Sequence, residues 1–303
     1  MIPSTDAHTA FNRNLGWVTR AEQASLAGRR VAVLGLGGGG GHHSMVLARL
    51  GVGSFHIADP DVFEWKNANR QVGAFASTLG QPKREVMGRL IRDINPQAVV
   101  REWADPFTGE HLDAFLDGVD VALDAIDFFC LPERRRFYAA CRAKGIPVVM
   151  ACPLGTGASV AVFGPTGLSA DEYFAFDDWP EVHWPLVFLV GVSPTLLHRG
   201  YIVAPDEVNF ATHQVPSLSI GAQMCGALAG TEVFRLLLQR EPPPTRVEVQ
   251  HFDPYLRQLK RTSRRRGNRS WLSRLMIRFA IHKTSQWQRT AALPAGASAN
   301  REP

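Results

Sequence analysis

The sequence predicts an α/β fold: a Rossmann-like parallel sheet with helices on both faces, extended by a mixed C-terminal part. Three observations carry that expectation. Arg30-Val-Ala-Val-Leu-Gly-Leu36 is a continuous apolar, β-branched run, as a strand buried on both faces requires. A string of glycines, Gly37 to Gly41, follows it and leads into a helical pattern. After that, strand-like and helix-like runs alternate, which is the pattern of parallel strands joined by right-handed crossovers.

In chain order, residues 1–10 read as a loose leader, and Phe11 to Ala27 as one or two short helices. His42 to Leu50 has helical spacing and a C-terminal stop at Gly51. Ser54 to Ala58 is a second strand, and Lys83 to Ile94 a helix halted at Asn95-Pro96. Val119 to Asp124 and Pro147 to Ala151 are further strands, with a helix from Leu131 to Lys144 between them. Ser159 to Phe163 continues the β pattern. Residues 166–215, aromatic and interrupted by proline, read as a long irregular crossover. Ser219 to Gln239 is a helix of small residues and leucines, ended by Glu241-Pro-Pro-Pro244, and Val247 to Phe252 resembles a last strand. The expected organisation is an N-terminal helical segment (1–28), one nucleotide-binding domain (29–255), and a basic tail (256–303).

Composition excludes some classes. No apolar run approaches the ~18 residues of a membrane span; the longest, Leu186 to Val192, is soon followed by Pro194. The N-terminus has no basic stretch leading into an apolar core, so a cytoplasmic protein is expected. Cys130, Cys141, Cys152 and Cys225 form no C-x-x-C pair, so no zinc is expected, and all four read as small buried hydrophobes. The net charge of +5 is unevenly spread. From Pro254 onward there are twelve Lys/Arg and one acid, Glu302, leaving that segment at +11 and the remainder at −6. In that tail, Trp271, Leu272, Leu275, Met276 and Phe279 share one helical face. The helix could dock on its own domain, lie on a membrane surface, or meet an acidic partner or RNA. Residues 290–303 have the composition of a disordered end.

A glycine turn between strand and helix lets backbone N–H groups and the helix dipole approach a phosphate. Asp59, at the end of the second strand, is placed to accept hydrogen bonds from a ribose. To this point NAD, FAD and ATP fit equally well. The next stretch separates them: Asp61, then Asn67-x-Asn69-Arg70-Gln71, then Gly80-Gln81-Pro82-Lys83. Hydride transfer has no use for an arginine and a lysine beside the phosphates, whereas adenylyl transfer gathers charge on the α-phosphate and departing pyrophosphate that fixed cations stabilise. Asp127, three residues past Asp124, is positioned to hold Mg2+. His42 and His43 read as polar residues at a helix end.

The motifs FNRN, GLGGGGG, ADPD, NANRQ, GQPK, INP and DAID, in this order, resemble the ThiF/MoeB/HesA superfamily of ubiquitin-activating-enzyme-like adenylyltransferases. The similarity is close over residues 11–165 and looser over Ser217–Leu238. It extends to the tRNA threonylcarbamoyladenosine dehydratases. The resemblance implies ATP and Mg2+ as cofactors, and a carboxylate substrate on a ubiquitin-like protein, a peptide or a modified tRNA nucleoside. It implies that Gly37, Gly38 and Gly40 line the phosphates and Asp59 holds the ribose. Asn67, Arg70 and Lys83 would contact the triphosphate, supported by Gln71, and Asp127 would bind Mg2+. Arg13 matches the arginine that the family supplies across a dimer interface, so a homodimer is expected. This sequence departs from the pattern in lacking C-x-x-C pairs, in lacking a cysteine within 166–215, and in having Phe128-Phe129 after Asp127. Two rivals stand beside this reading: an NAD- or FAD-dependent Rossmann oxidoreductase, and a non-catalytic partner protein that keeps the fold.

Overall fold

The computed structural model describes residues 10–108, 111–210 and 215–291, with only the backbone for Asp206 and for 285–291. The expectations for the leader and for the disordered C-terminal end lie almost wholly outside these residues. A short helix, α1 (Arg20–Ala27), carries a Thr19–Glu22 capping box and precedes β1 (Arg30–Leu34). Then follow α2 (Gly38–Leu50), β2 (Ser54–Ala58), α3 (Lys83–Ile94), β3 (Val99–Trp103), α4 (His111–Phe115), β4 (Val121–Asp124) and α5 (Leu131–Ala143). The second half contains β5 (Val148–Leu154), β6 (Gly157–Phe163), α6 (Ala170–Phe174), α7 (Trp184–Val192), α8 (Ser219–Leu237), β7 (Glu248–Asp253), β8 (Gln258–Ser263) and α9 (Trp271–Ala291).

All eight strands form one sheet, in the order β3-β2-β1-β4-β5-β6-β7-β8. The first five run parallel, and β6, β7 and β8 are each antiparallel to the strand before them. The side-chain period of two sends alternate residues to opposite faces. Val31, Val33, Val149 and Val160 pack beneath α2, α3 and α8, while Ala32, Leu34, Met150 and Phe163 pack against α5, α6 and α7. Both faces are therefore covered, which is why the central strands read as unbroken apolar runs.

Four local expectations change. The helix expected from His42 begins at Gly38, so most of the glycine string is its first turn. The crossover 166–215 contains α6 and α7, whose Tyr173, Phe174, Phe188 and Val190 are buried; its aromatic residues are core. The strands β3 and β8 were not anticipated. The sheet also runs past the boundary expected after Tyr255, which falls in the turn of the β7–β8 hairpin. Beyond it, Asn268, Ser273 and Ile277 are buried and α9 packs on α7. Among the described residues, no helix is long and apolar enough to cross a membrane.

Candidate functional site

The site is built where the parallel strands end. At the close of β1 the chain turns through Gly35, with φ of +92°, a conformation that suits glycine. A Cβ there would lie 2.1 Å from the Ala125 carbonyl oxygen, and one at Gly40 would lie 1.8 Å from the Gly35 oxygen. Both positions exclude any side chain. Gly37 and Gly38 are different: a Cβ on either would meet nothing nearer than 3.6 Å, so packing does not demand glycine. What their smallness provides is open space over the first turn of α2. Gly37 caps that helix without any side-chain hydrogen bond, and the first N–H groups of a helix have no intrahelical acceptor. Four glycines in a first turn cost helix stability, roughly 1 kcal/mol each, and leave a bare positive helix end.

Asp59 is tied to this turn. Its Oδ2 accepts from Leu36 N at 2.7 Å and its Oδ1 from Asp61 N at 2.9 Å. Burial raises its pKa, opposed by the charge of Lys83 and by these two hydrogen bonds. Each carboxylate oxygen keeps a second lone pair for a ligand. Lys83, the first residue of α3, is buried, and its ammonium lies 2.9 Å from Asp61 Oδ2. The carboxylate of Asp61, itself exposed, is thus the counter-ion of Lys83 rather than a turn residue alone.

The NANRQ segment folds over the same end. Asn67 accepts from Glu64 N through Oδ1 at 3.0 Å, and Asn69 Nδ2 donates to Ser217 O at 2.9 Å, anchoring the segment near α8. Arg70 runs alongside Gly38, with its Cγ 3.6 Å from where a Cβ would stand, and donates to Lys66 O and Asn69 Oδ1. Burial lowers its pKa, and the charge of Asp127 works against that shift. Gln71 is buried beside Gly37, and its Oε1 finds no hydrogen-bond partner among the described residues. A buried acceptor left open costs about 1–3 kcal/mol, so its place next to the glycine turn marks a position for a ligand or water.

Asp127 stands exposed after β4, with Oδ1 accepting from Phe129 N at 3.0 Å. What holds it is a set of residues that sequence reasoning did not single out. Asp124, buried at the end of β4, accepts from Arg134 Nε at 2.8 Å and from Tyr138 OH at 2.9 Å. Arg134 Nη2 in turn donates to the carbonyls of Ile126 and Asp127, at 2.7 and 3.2 Å, and its guanidinium carbon lies 4.2 Å from the centre of the Phe188 ring. Burial alone would push Arg134 toward its neutral form, but the charge and hydrogen bond of Asp124, with smaller contributions from Tyr138 and Cys152, together outweigh it and the pKa is raised. The only sequence signal was Arg134-Arg-Arg136 in α5, which looks like a solvated charge run.

The structure therefore brings together Gly37, Gly38, Gly40, Asp59, Asn67, Arg70, Gln71, Lys83 and Asp127. It does not bring Arg13 to them within one chain. Arg13 is exposed in a single turn, Asn12–Asn14, just after Phe11. Phe11 packs at Gly51, the far end of α2, and a helix of 13 residues is about 20 Å long.

Two expectations about neighbouring residues are corrected. His43 is wholly buried, with Nε2 3.4 Å from Cys225 Sγ, so it is not a polar residue of the helix surface. Cys141 and Cys225 are buried as expected and Cys152 partly so, but Cys130 is exposed. Among the described residues no three His, Cys, Asp or Glu side chains converge where a metal ion could be held.

A glycine-opened helix N-terminus at a parallel sheet's carboxyl edge, with the cations Arg70 and Lys83 and the exposed carboxylates of Asp61 and Asp127 beside it, is an arrangement of the doubly wound class of folds. The chain belongs to the ThiF family, which it matches over residues 11–270. It is 36% identical over 140 residues to tRNA threonylcarbamoyladenosine dehydratase of Bacillus subtilis, an alignment covering 46% of this chain and 54% of that protein. It is 35% identical over 127 residues to SAMP-activating enzyme E1 of Haloferax volcanii, covering 42% and 46%. The sulfur carrier protein ThiS adenylyltransferase of Escherichia coli is 31% identical over 143 residues, covering 47% and 56%. The chain thus spans about half the length of the curated relatives it matches. In fold it resembles the crystal structure of PaaA, with a TM-score of 0.64 at 17% identity, covering 86% of this chain and 84% of that one. The E. coli tRNA N6-threonylcarbamoyladenosine dehydratase structure aligns with a TM-score of 0.57 at 20% identity, covering 79% and 98%.

Proposed function

We propose that this protein binds ATP and adenylylates a carboxylate. The observation that carries the reading is the convergence of Arg70, Lys83 and Asp127 on the glycine-opened start of α2. A dinucleotide oxidoreductase would use the glycines and Asp59 but leave those three idle. In the proposed reaction a carboxylate oxygen attacks the α-phosphorus, a P–O bond forms, and the bond from that phosphorus to the α,β-bridging oxygen breaks, releasing pyrophosphate. The attacking carboxylate is already ionised at neutral pH, so no side-chain base is needed. The chain's own part is to hold and neutralise phosphate oxygens: N–H groups of Gly38 to Gly40, the Arg70 guanidinium, and Lys83 once its ammonium is shared with Asp61. Asp59 and Asn67 would bind the ribose and phosphates, and Gln71 would donate or accept beside Gly37.

Asp127 suits Mg2+, a hard cation that takes one or two carboxylates and completes its shell with water and phosphate oxygens. When bound, the ion would add positive charge at the departing pyrophosphate. The names of the relatives point to a carrier protein or a tRNA nucleoside as the source of the carboxylate.

The position of Arg13 favours a homodimer in which it serves the other protomer. An open groove of about 840 Å³ runs from Phe11 along α2 and α3, lined by Met45, Val72, Phe75 and Leu90. An apolar partner surface would fill it. The test is ATP–pyrophosphate exchange against candidate acids, with Arg13→Ala and Asp127→Ala mixed to form heterodimers. Adenylation predicts exchange that each variant lacks and that mixed dimers partly regain. Tight NAD binding with no ATP binding would restore the oxidoreductase reading, and no binding of either would restore the non-catalytic one.

A further inference from the structure

The last helix has two working faces. Its inner side carries Ser273 and Ile277, both fully buried, with Met276 and Ile281 packed partly against the core. That docking takes Met276 from the apolar stripe visible in the sequence and leaves its other four members outside the core. Trp271 is 77% exposed, Leu275 57%, Phe279 43% and Leu272 42%. At 100° per residue these four span about 100° of the helix, a largely apolar band that also takes in the exposed His282 and is left partly open to solvent. Cations line both edges: Arg274 and Arg278 on one side, Lys283 on the other. The Arg199 guanidinium lies 5.0 Å from the Phe279 ring centre, and shortly after Arg199 in the chain Val203 is 96% exposed.

We propose that this face of α9 binds an anionic membrane surface, lying in the interfacial plane. An apolar band flanked by basic side chains is the arrangement of helices that sink one face into the headgroup boundary, and tryptophan favours that boundary. The charge of the chain is complementary, since the segment from Pro254 onward carries +11 while the remainder carries −6. A nucleic acid would meet its phosphates with cations at the centre of the contact, not at its edges. A second copy of the chain would bring basic edges against basic edges in any isologous pairing of this face.

The test uses the full chain with phosphatidylcholine vesicles, with and without phosphatidylglycerol. The protein should sediment with the anionic vesicles, be released in part by salt, and stay largely free of the neutral ones. Trp271→Ser with Phe279→Ser should weaken partitioning by at least about tenfold, and Arg278→Glu should reduce the preference for anionic lipid. The melting temperature should be unchanged in each, because all three side chains lie outside the packed face. The proposal is overturned if the wild-type protein stays in solution with anionic vesicles, or if the double variant partitions like wild type. It is equally overturned if the double variant turns a dimer into a monomer, or if these substitutions abolish binding to RNA rather than to lipid.

Discussion

The two ends of the sheet treat charge in opposite ways. At the carboxyl edge of the parallel strands, Asp59, Lys83, Asp124 and Arg134 are all buried, and each is held by a named partner. At the antiparallel end, β8 and α9 carry the highest density of positive charge, and nearly all of it faces solvent. There Arg261–Glu248 and Arg269–Asp178 are exposed pairs, of a kind that contributes little to stability. The first arrangement fixes geometry, because a buried charge has few positions that satisfy it. The second leaves charge free to meet something outside. In the proposed reading one region serves a ligand and the other a surface, and each can be perturbed separately.

The largest effect should come from ending the chain at Tyr255. Such a truncation removes β8, exposing the edge of β7, and uncovers the site of Ile277 on α7. The sequence alone reads residues 256–303 as a basic tail outside the nucleotide-binding domain, and so as dispensable to it. The packing instead calls for loss of a cooperative unfolding transition, measured by circular dichroism against urea. A truncated protein that stays soluble and unfolds cooperatively would restore the dispensable tail and separate the two regions entirely.

Next is Arg134→Leu. It leaves Asp124 charged and buried with only the neutral donors Tyr138 OH and Ile126 N–H to answer it, and removing one partner of a buried pair costs about 3–5 kcal/mol. Urea denaturation should show that loss, and pairing the change with Asp124→Leu should recover much of it. If Arg134→Leu costs under about 1 kcal/mol, the buried region is no more constrained than the surface and the contrast fails.

How much of this was legible follows from burial. Strands β1, β2 and β4 and helices α3 and α5 were legible because both faces of the sheet are covered there, so the apolar runs are long and unbroken. The two strands that were missed, β3 and β8, are the two edges of the sheet. Val99-Val-Arg-Glu-Trp103 and Gln258-Leu-Lys-Arg-Thr-Ser263 carry charges inside the strand, as edge strands do to discourage further pairing, and this breaks the pattern that marks a strand. In the site, the residues facing the ligand stood in motifs and could be found. Arg134 and Tyr138 act on Asp127 from behind, through Asp124 and two carbonyls, and nothing local to their sequence shows that. The exposed side of α9 was legible as a stripe, but only packing could show that just Met276 of it reaches the core.

A smaller effect should appear on lowering pH. Burial first, and the neighbouring His42 second, push the His43 pKa down from 6.5 to about 3. The folded pKa lies below the unfolded one, so the contribution of His43 to stability is full above 6.5 and is lost as pH falls toward 3. Between pH 7 and pH 5 this amounts to about 2 kcal/mol. Urea titrations should find wild type losing about that much more than His43→Leu over the same interval. Equal losses would mean that His43 takes up its proton in the folded state, and that the packing beneath the glycine turn opens readily.

The smallest effect concerns Cys130, the one cysteine of the four that is exposed. Burial of its sulfur, with the negative charges of Asp127 and Glu133 behind it, raises its pKa, so at neutral pH it is a poor nucleophile and no thioester chemistry is expected of it. Cys130→Ala should change ATP–pyrophosphate exchange by less than about twofold. Its place three residues after Asp127 nonetheless makes it a reporter on the proposed site. A maleimide should modify it slowly and before the other three, and Mg·ATP should slow that reaction further by occupying the space beside Asp127. Mass spectrometry of the labelled peptides would read both effects. If ATP binds but leaves the Cys130 rate unchanged, the nucleotide does not reach Asp127, and the site is centred on the glycine turn and Asp59 alone.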